Sequence, residues 1–128
     1  MTKKVLSIVE NGFRATLEEQ DDTVIWFAHV LKGAGAEMTV LLRGNAVNYA
    51  TRKQDPSGLA FGDRKQTRPP RIHEDLSSLA KKGVAVLAVH EDVGHYGLKR
   101  DDLIPEVELV PKTRVPQLID EFDRVWWW

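Results

Sequence analysis

The 128-residue sequence contains no cysteine. This absence excludes disulfide bonds, iron–sulfur clusters, thiolate zinc sites and cysteine nucleophiles. Long apolar runs are also missing: the longest, Val84 to Val89, has six residues, whereas a membrane-spanning helix needs about 20. The apolar stretch after Lys4 is interrupted at Ser7 and is too short for the core of an export signal. We therefore expect a cytoplasmic protein that does not engage a membrane.

A strong charge of one sign is absent as well. The chain has 18 basic and 19 acidic residues, a net charge of −1, and 42% hydrophobic residues. Disordered chains have lower hydrophobicity and higher net charge, and nucleic-acid-binding proteins usually have a basic excess. The length predicts a single domain over residues 1–128.

Apolar runs and helical stripes alternate along the chain. A capping-box spacing at Thr16 and Glu19 predicts the start of the first helix, and Gly33 its end. This alternation predicts an α/β protein of Rossmann or flavodoxin type, with helices on both faces of a mostly parallel sheet. Strands are predicted at 4–9, 37–42, 84–89, 106–110 and 124–128, and later helices at 46–50, 72–83, 90–97 and from Pro116 onward.

Residues 51–70 show no clear periodicity. Structureless loops of this length are uncommon in compact domains and are often functional. The segment is basic, but few aromatic residues separate its charges, so we do not expect a nucleic-acid partner.

Familiar catalytic and cofactor motifs are absent or incomplete. Gly33-Ala34-Gly35 ends a helix, whereas a dinucleotide fingerprint opens one. His90 and His95 are five residues apart, not the four that place two metal ligands on one helix face. We therefore predict no metal, no cofactor and no catalytic residue, and the sequence gives no reason to expect an enzyme.

Polar side chains follow the predicted strands at their carboxyl ends. Ligands of open α/β sheets bind beyond those ends, and helix N-termini there favour anions. Arginines could clamp an anion with two hydrogen bonds each, or these residues could only cap helices and pair with one another. The candidate ligand-binding residues at this edge, here called the crest, are Glu10, Asn11, Arg14, Arg43, Asn45 and His90.

The sequence ends with three consecutive tryptophans, Trp126, Trp127 and Trp128. Side chains alternate along a strand, so the three cannot all face one side. At least one should be exposed unless something covers it, and exposed aromatic residues are enriched in subunit interfaces. We predict an interface at this tail; the alternative is that two tryptophans cover the core and the last one frays.

The order of several short segments resembles the DsrE/DsrF-like family, which includes the subunits of the TusBCD sulfur-relay complex. The resemblance extends over nearly the whole chain. Its segments are Lys4–Val9, Ala28–Ala36, Leu42–Val47, Leu79–Val84, His95–Leu98 and Leu103–Pro105.

The resemblance implies a three-layer α/β/α fold of the DsrEFH type with a five-stranded parallel sheet, assembled into homo- or hetero-oligomers. Active family members carry sulfur as a persulfide on one cysteine, whose place corresponds to about Val89 or His90. A persulfide needs a thiolate, so this chain cannot carry sulfur in that way. The family also contains cysteine-less subunits that serve assembly.

Two functions are consistent with this sequence. The first is an oligomeric accessory or binding subunit associated with sulfur metabolism, a homo-oligomer (dimer, trimer or hexamer) with sulfur-relay proteins as its partners. The alternative is a protein that binds a small anion or a nucleotide-type ligand at the crest, with His90 as a proton donor.

Overall fold

The computed structural model of the protein describes residues 3–12, 23–54, 60–65 and 71–128. Five parallel strands form one sheet, and two further strands form a separate antiparallel hairpin. The sheet strands are β1 (Lys4–Val9), β2 (Glu37–Leu42), β5 (Ala85–Val89), β6 (Glu108–Val110) and β7 (Arg124–Trp127), and the hairpin strands are β3 (Ala60–Phe61) and β4 (Arg64–Lys65). The order of the strands across the sheet is β6-β5-β2-β1-β7.

Helices connect the parallel strands, because a parallel connection must cross from one end of the sheet to the other. The described α-helices are α1 (Thr23–Gly33), α2 (Ile72–Lys81), α3 (His90–His95) and α4 (Val115–Asp120), and the described 3-10 helices are Gly44–Ala50, Arg100–Asp102 and Lys112–Arg114.

The two faces of the sheet bury separate apolar clusters. Leu6 and Ile8 of β1 pack with Val115 of α4 on one face. Val5 and Val9 lie on the opposite face, under α1, α2 and the 3-10 helix Gly44–Ala50. This arrangement confirms the predicted three-layer α/β/α fold with a five-stranded parallel sheet. Val84 to Val89 is apolar throughout because β5 lies inside the sheet and is covered on both faces.

The predicted limits of strands and helices agree best with the structure where an apolar run is followed closely by a turn residue. Strands 4–9 and 37–42 are confirmed with the predicted bounds. The weaker strand predicted at 106–110 begins only at Glu108, and the helix predicted at 90–97 ends at His95. The predicted helix start at Thr16 lies outside the described residues.

The segment predicted to lack structure, 51–70, contains the β3–β4 hairpin, whose described residues are all exposed. Its first part is tied to the later turn before β6. Thr51 bridges Leu103, and the backbone N–H of Arg52 donates to the Asp102 carbonyl at 2.8 Å. Lys53 Nζ lies 2.8 Å from Asp102 Oδ1. These contacts place residues 51–54 against the body of the fold.

Candidate functional site

The crest is built where β1 and β2 end together. Val9 lies beside Leu42 in the parallel register, so Glu10 and Arg43 emerge as neighbours. Arg43 Nε lies 3.0 Å from Glu10 Oε1, with side chains 25% and 35% exposed. The Arg43 guanidinium carbon also lies 5.4 Å from the centroid of the Trp127 ring. The Arg43 guanidinium is therefore already paired with a carboxylate and an aromatic face.

The loop after β1 is held against the 3-10 helix by Asn45. Its side-chain oxygen accepts the N–H of Gly12 at 2.9 Å. Gly12 fits tightly there, because an added Cβ would lie 3.2 Å from Ala46 Cα and 3.4 Å from the Tyr49 ring. The Asn45 side chain thus caps backbone at the crest.

Two carboxylates of α3, the helix that follows β5, also accept backbone hydrogen bonds at the crest. Asp92 Oδ2 accepts the N–H of Gly44 at 2.8 Å. Both side-chain oxygens of Glu91 accept the N–H of Lys112, at 3.0 and 3.1 Å. Each acid satisfies a backbone donor that a turn or short helix leaves without a partner.

Among the described residues, the side chains of Asn11 and His90 do not join this network. Asn11 is exposed, and its backbone N–H lies 3.4 Å from the Trp128 carbonyl oxygen. His90 is exposed at the start of α3, directly after the buried Val89. Arg14 lies outside the described residues. The structure therefore brings together Glu10 and Arg43, and separately Asn45 and Gly12.

Trp127 and Asp92 also belong to the crest, although neither is among the candidate ligand-binding residues chosen from the sequence. Trp127 reaches it because β7 pairs in parallel with β1 and ends at the same edge, with Trp127 beside Ile8. Asp92 reaches it because α3 starts where β5 ends. A hydrophobic run at the end of the chain predicts a strand, but not its neighbour in the sheet.

The three tryptophans divide between the two faces, as their alternation predicts. Trp126 stacks on Phe27 of α1, with ring centroids 5.7 Å apart. Trp128 lies on the same face and donates its indole N–H to Ser7 Oγ at 3.0 Å. Trp127 faces the other way and is 52% exposed.

A cavity lies at the end of the sheet opposite the crest, where the strands begin. Its volume is about 360 Å³, and Lys4, Lys32 and Glu37 contribute its charged groups. Within the described ranges, no group of three or more metal-binding side chains is found, and no helix is long and apolar enough to cross a membrane.

No protein-family profile and no curated protein matches the sequence. Solved structures do match the fold. YchN of E. coli is 20% identical, with a TM-score of 0.74 over 100% of both chains. MTH1491 of Methanobacterium thermoautotrophicum, a protein of unknown function, is 17% identical, with a TM-score of 0.60 over 97% of each chain.

BT1422 of Bacteroides thetaiotaomicron, a conserved protein of unknown function, is 8% identical, with a TM-score of 0.71 over 98% of this chain and 95% of that one. At these identities the matches establish the fold alone. YchN has a DsrE-like fold, and this chain therefore has a DsrE-like fold.

Proposed function

We propose that the chain is a cysteine-less member of the DsrE/DsrF-like family and acts as an oligomeric accessory or binding subunit associated with sulfur metabolism. It does not carry a persulfide itself, because the sequence provides no thiolate. The DsrE-like fold supports the family assignment. The partners that this proposal implies are other copies of the chain and cysteine-bearing sulfur-relay proteins.

The observation that carries the proposal is that the polar side chains of the crest already bind other groups of the protein. Its arginine is already held by a carboxylate at 3.0 Å, its asparagine caps Gly12, and its two α3 acids bind backbone N–H groups. An anion at Arg43 would have to displace Glu10 or accept a negative neighbour, which lowers its affinity. This network favours a structural crest over a ligand-binding one.

Native mass spectrometry of the gently purified, untagged chain tests this proposal. We expect a multimer at its bare polypeptide mass. A chain that carries one small molecule per subunit would overturn the proposal in favour of the alternative function at the crest. A monomer without ligand at all concentrations would overturn the oligomeric role.

A second experiment tests the link to sulfur. A cysteine-bearing protein of DsrE-like fold is loaded with labelled persulfide and mixed with this chain. We expect a complex in which the label stays on the partner and passes to an acceptor at a changed rate. An unchanged rate and no complex would remove sulfur-relay proteins from the proposal.

A further inference from the structure

Among the strands that the structure describes, only β1 pairs with β7, so one of the two sides of the β7 backbone has no strand partner. Trp128 donates its N–H to the Ile8 carbonyl at 2.9 Å, and its own carbonyl accepts the N–H of Glu10 at 2.9 Å. Alternate residues of a strand bond to the same neighbour, so Trp126 also turns its backbone toward β1. The N–H and C=O groups of Val125 and Trp127 then point to the opposite side, where no strand of the described sheet pairs with β7.

Helix α1 places an apolar flank beside this open edge. His29 marks the flank of α1 that faces α2, because its Nε2 lies 3.1 Å from the Asp75 carbonyl oxygen. Phe27 lies on the other flank, stacked on Trp126 of β7. At about 100° per residue, Val30 lies about 60° from Phe27 around the helix axis, toward solvent, and it is 46% exposed. We call the open edge of β7, with Phe27 and Val30, the β7 edge surface.

The β7 edge surface is complementary to itself. A two-fold axis perpendicular to the sheet keeps each face of both sheets on its own side, so residues on like faces must meet. When the axis passes at Trp126, Val125 lies opposite the partner's Trp127, and each pair exchanges two N–H···O bonds. All four outward backbone groups of each copy are then satisfied. A shift of the axis to Val125 or Trp127 leaves some of them without a strand residue opposite.

We propose that two copies of this chain associate by antiparallel pairing of β7 about a two-fold axis at Trp126, which joins two five-stranded sheets into one of ten strands. This inference rests on the proposed oligomeric function and specifies its interface. The same axis brings the two α1 flanks together on one face. It also places Arg124, the only charged residue of the strand, opposite the partner's Trp128, where a cation can lie over an indole ring.

Cysteine cross-linking tests this register directly, because the natural chain has no cysteine. Trp126 and the partner's Trp126 form a pair without backbone hydrogen bonds, in which the Cα atoms are about 4.5 Å apart, a separation that a disulfide can span. Trp126→Cys should therefore oxidise to a covalent dimer. Arg124→Cys is the matched control: it lies on the same face, but its two copies are offset by about 13 Å along the strands and should stay monomeric on a non-reducing gel.

A proline variant tests the backbone pairing without depending on Trp126, which packs on the core. Trp127→Pro removes an N–H that points to the open edge and makes no bond to β1, a position where a strand tolerates proline. Trp127→Ala removes the same indole but keeps the N–H. We expect the proline variant to lose the dimer on native mass spectrometry and the alanine variant to keep it.

The outcomes separate this inference from the proposed function. If the natural chain is oligomeric but Trp127→Pro does not change its mass and Trp126→Cys does not cross-link, the β7 interface is wrong and the oligomeric function stands. If the pure chain is monomeric and only a strand from another protein binds the edge, the second copy is the wrong occupant. A monomer with no such partner contradicts both.

Discussion

The two edges of the sheet differ in how they are protected. Edge strand β6 has only three residues, exposes the charge of Glu108 and is followed at once by Pro111. These are devices that keep a foreign strand from adding to a sheet. Edge strand β7 has one charged residue, Arg124, followed by Val125 and the tryptophans. This difference supports the proposal that β7, and not β6, pairs with a second copy of the chain.

The largest expected effect is a difference in the free energy of unfolding between variants of two adjacent tryptophans, Trp126 and Trp127. Trp126→Ala removes a ring that stacks on Phe27 and contacts Trp128, and it should lower the free energy of unfolding by about 3 kcal/mol. Trp127→Ala removes a half-exposed ring and should cost about 1 kcal/mol or less. Urea unfolding at a fixed chain concentration measures both. Equal losses would contradict the division of the tryptophans between an inner and an outer face.

The inner side of β7 is anchored by one polar contact. Ser7, which is 2% exposed, accepts the indole N–H of Trp128. Ser7→Ala should cost about 1–2 kcal/mol, because the indole N–H is then left without a partner. Adding Trp128→Phe to Ser7→Ala should restore part of this loss relative to the two single variants, which a double-mutant cycle measures. Additive losses would show that the hydrogen bond contributes nothing.

Part of the crest could be predicted from the sequence, because these residues directly follow the ends of predicted strands. The carboxyl ends of β1 and β2 place Glu10, Arg43 and Asn45 at one edge. Their pairing could not be read, since it depends on the register that sets Val9 beside Leu42.

The fold shows the same limit. The sheet follows from the apolar runs, but the β3–β4 hairpin has only two residues per strand, too few for a period of two to be recognised. The sequence also does not predict that β7 lies beside β1, because this position depends on how all five strands are arranged in the sheet.

A smaller effect tests whether the crest is closed to anions. Glu10→Gln keeps the side-chain shape but removes the carboxylate beside Arg43, and it should change stability by less than about 1 kcal/mol. It should also make the melting temperature respond to added phosphate more than in the natural chain, and the added change Arg43→Gln should abolish this response. If the natural chain responds as strongly as Glu10→Gln, the crest is a ligand site and the alternative function gains support.

The smallest effect concerns the turn before β6. The hydrogen bond from Lys53, with a second from the backbone N–H of Lys99, lowers the pKa of the Asp102 carboxyl below its ordinary value. A lowered pKa in the folded state means that the stabilisation is present above the ordinary value, near 4, and is lost as the pH falls through the lowered one. Asp102→Asn should therefore lose less stability than the natural chain between pH 4 and 2 in thermal melts. Parallel curves would show that Asp102 is not coupled to folding.

Amide hydrogen exchange along β7 is the most direct test of the contrast between the two edges. An open edge predicts alternation, with the N–H of Trp126 and Trp128 protected by β1 and the N–H of Val125 and Trp127 exchanging freely. Pairing of β7 with a second copy predicts that all four N–H groups are protected. Val125 and Trp127 should then lose their protection when the protein is diluted. In Trp127→Ala, the N–H at position 125 should stay protected. Free exchange at Val125 and Trp127 in the concentrated natural protein would contradict the interface.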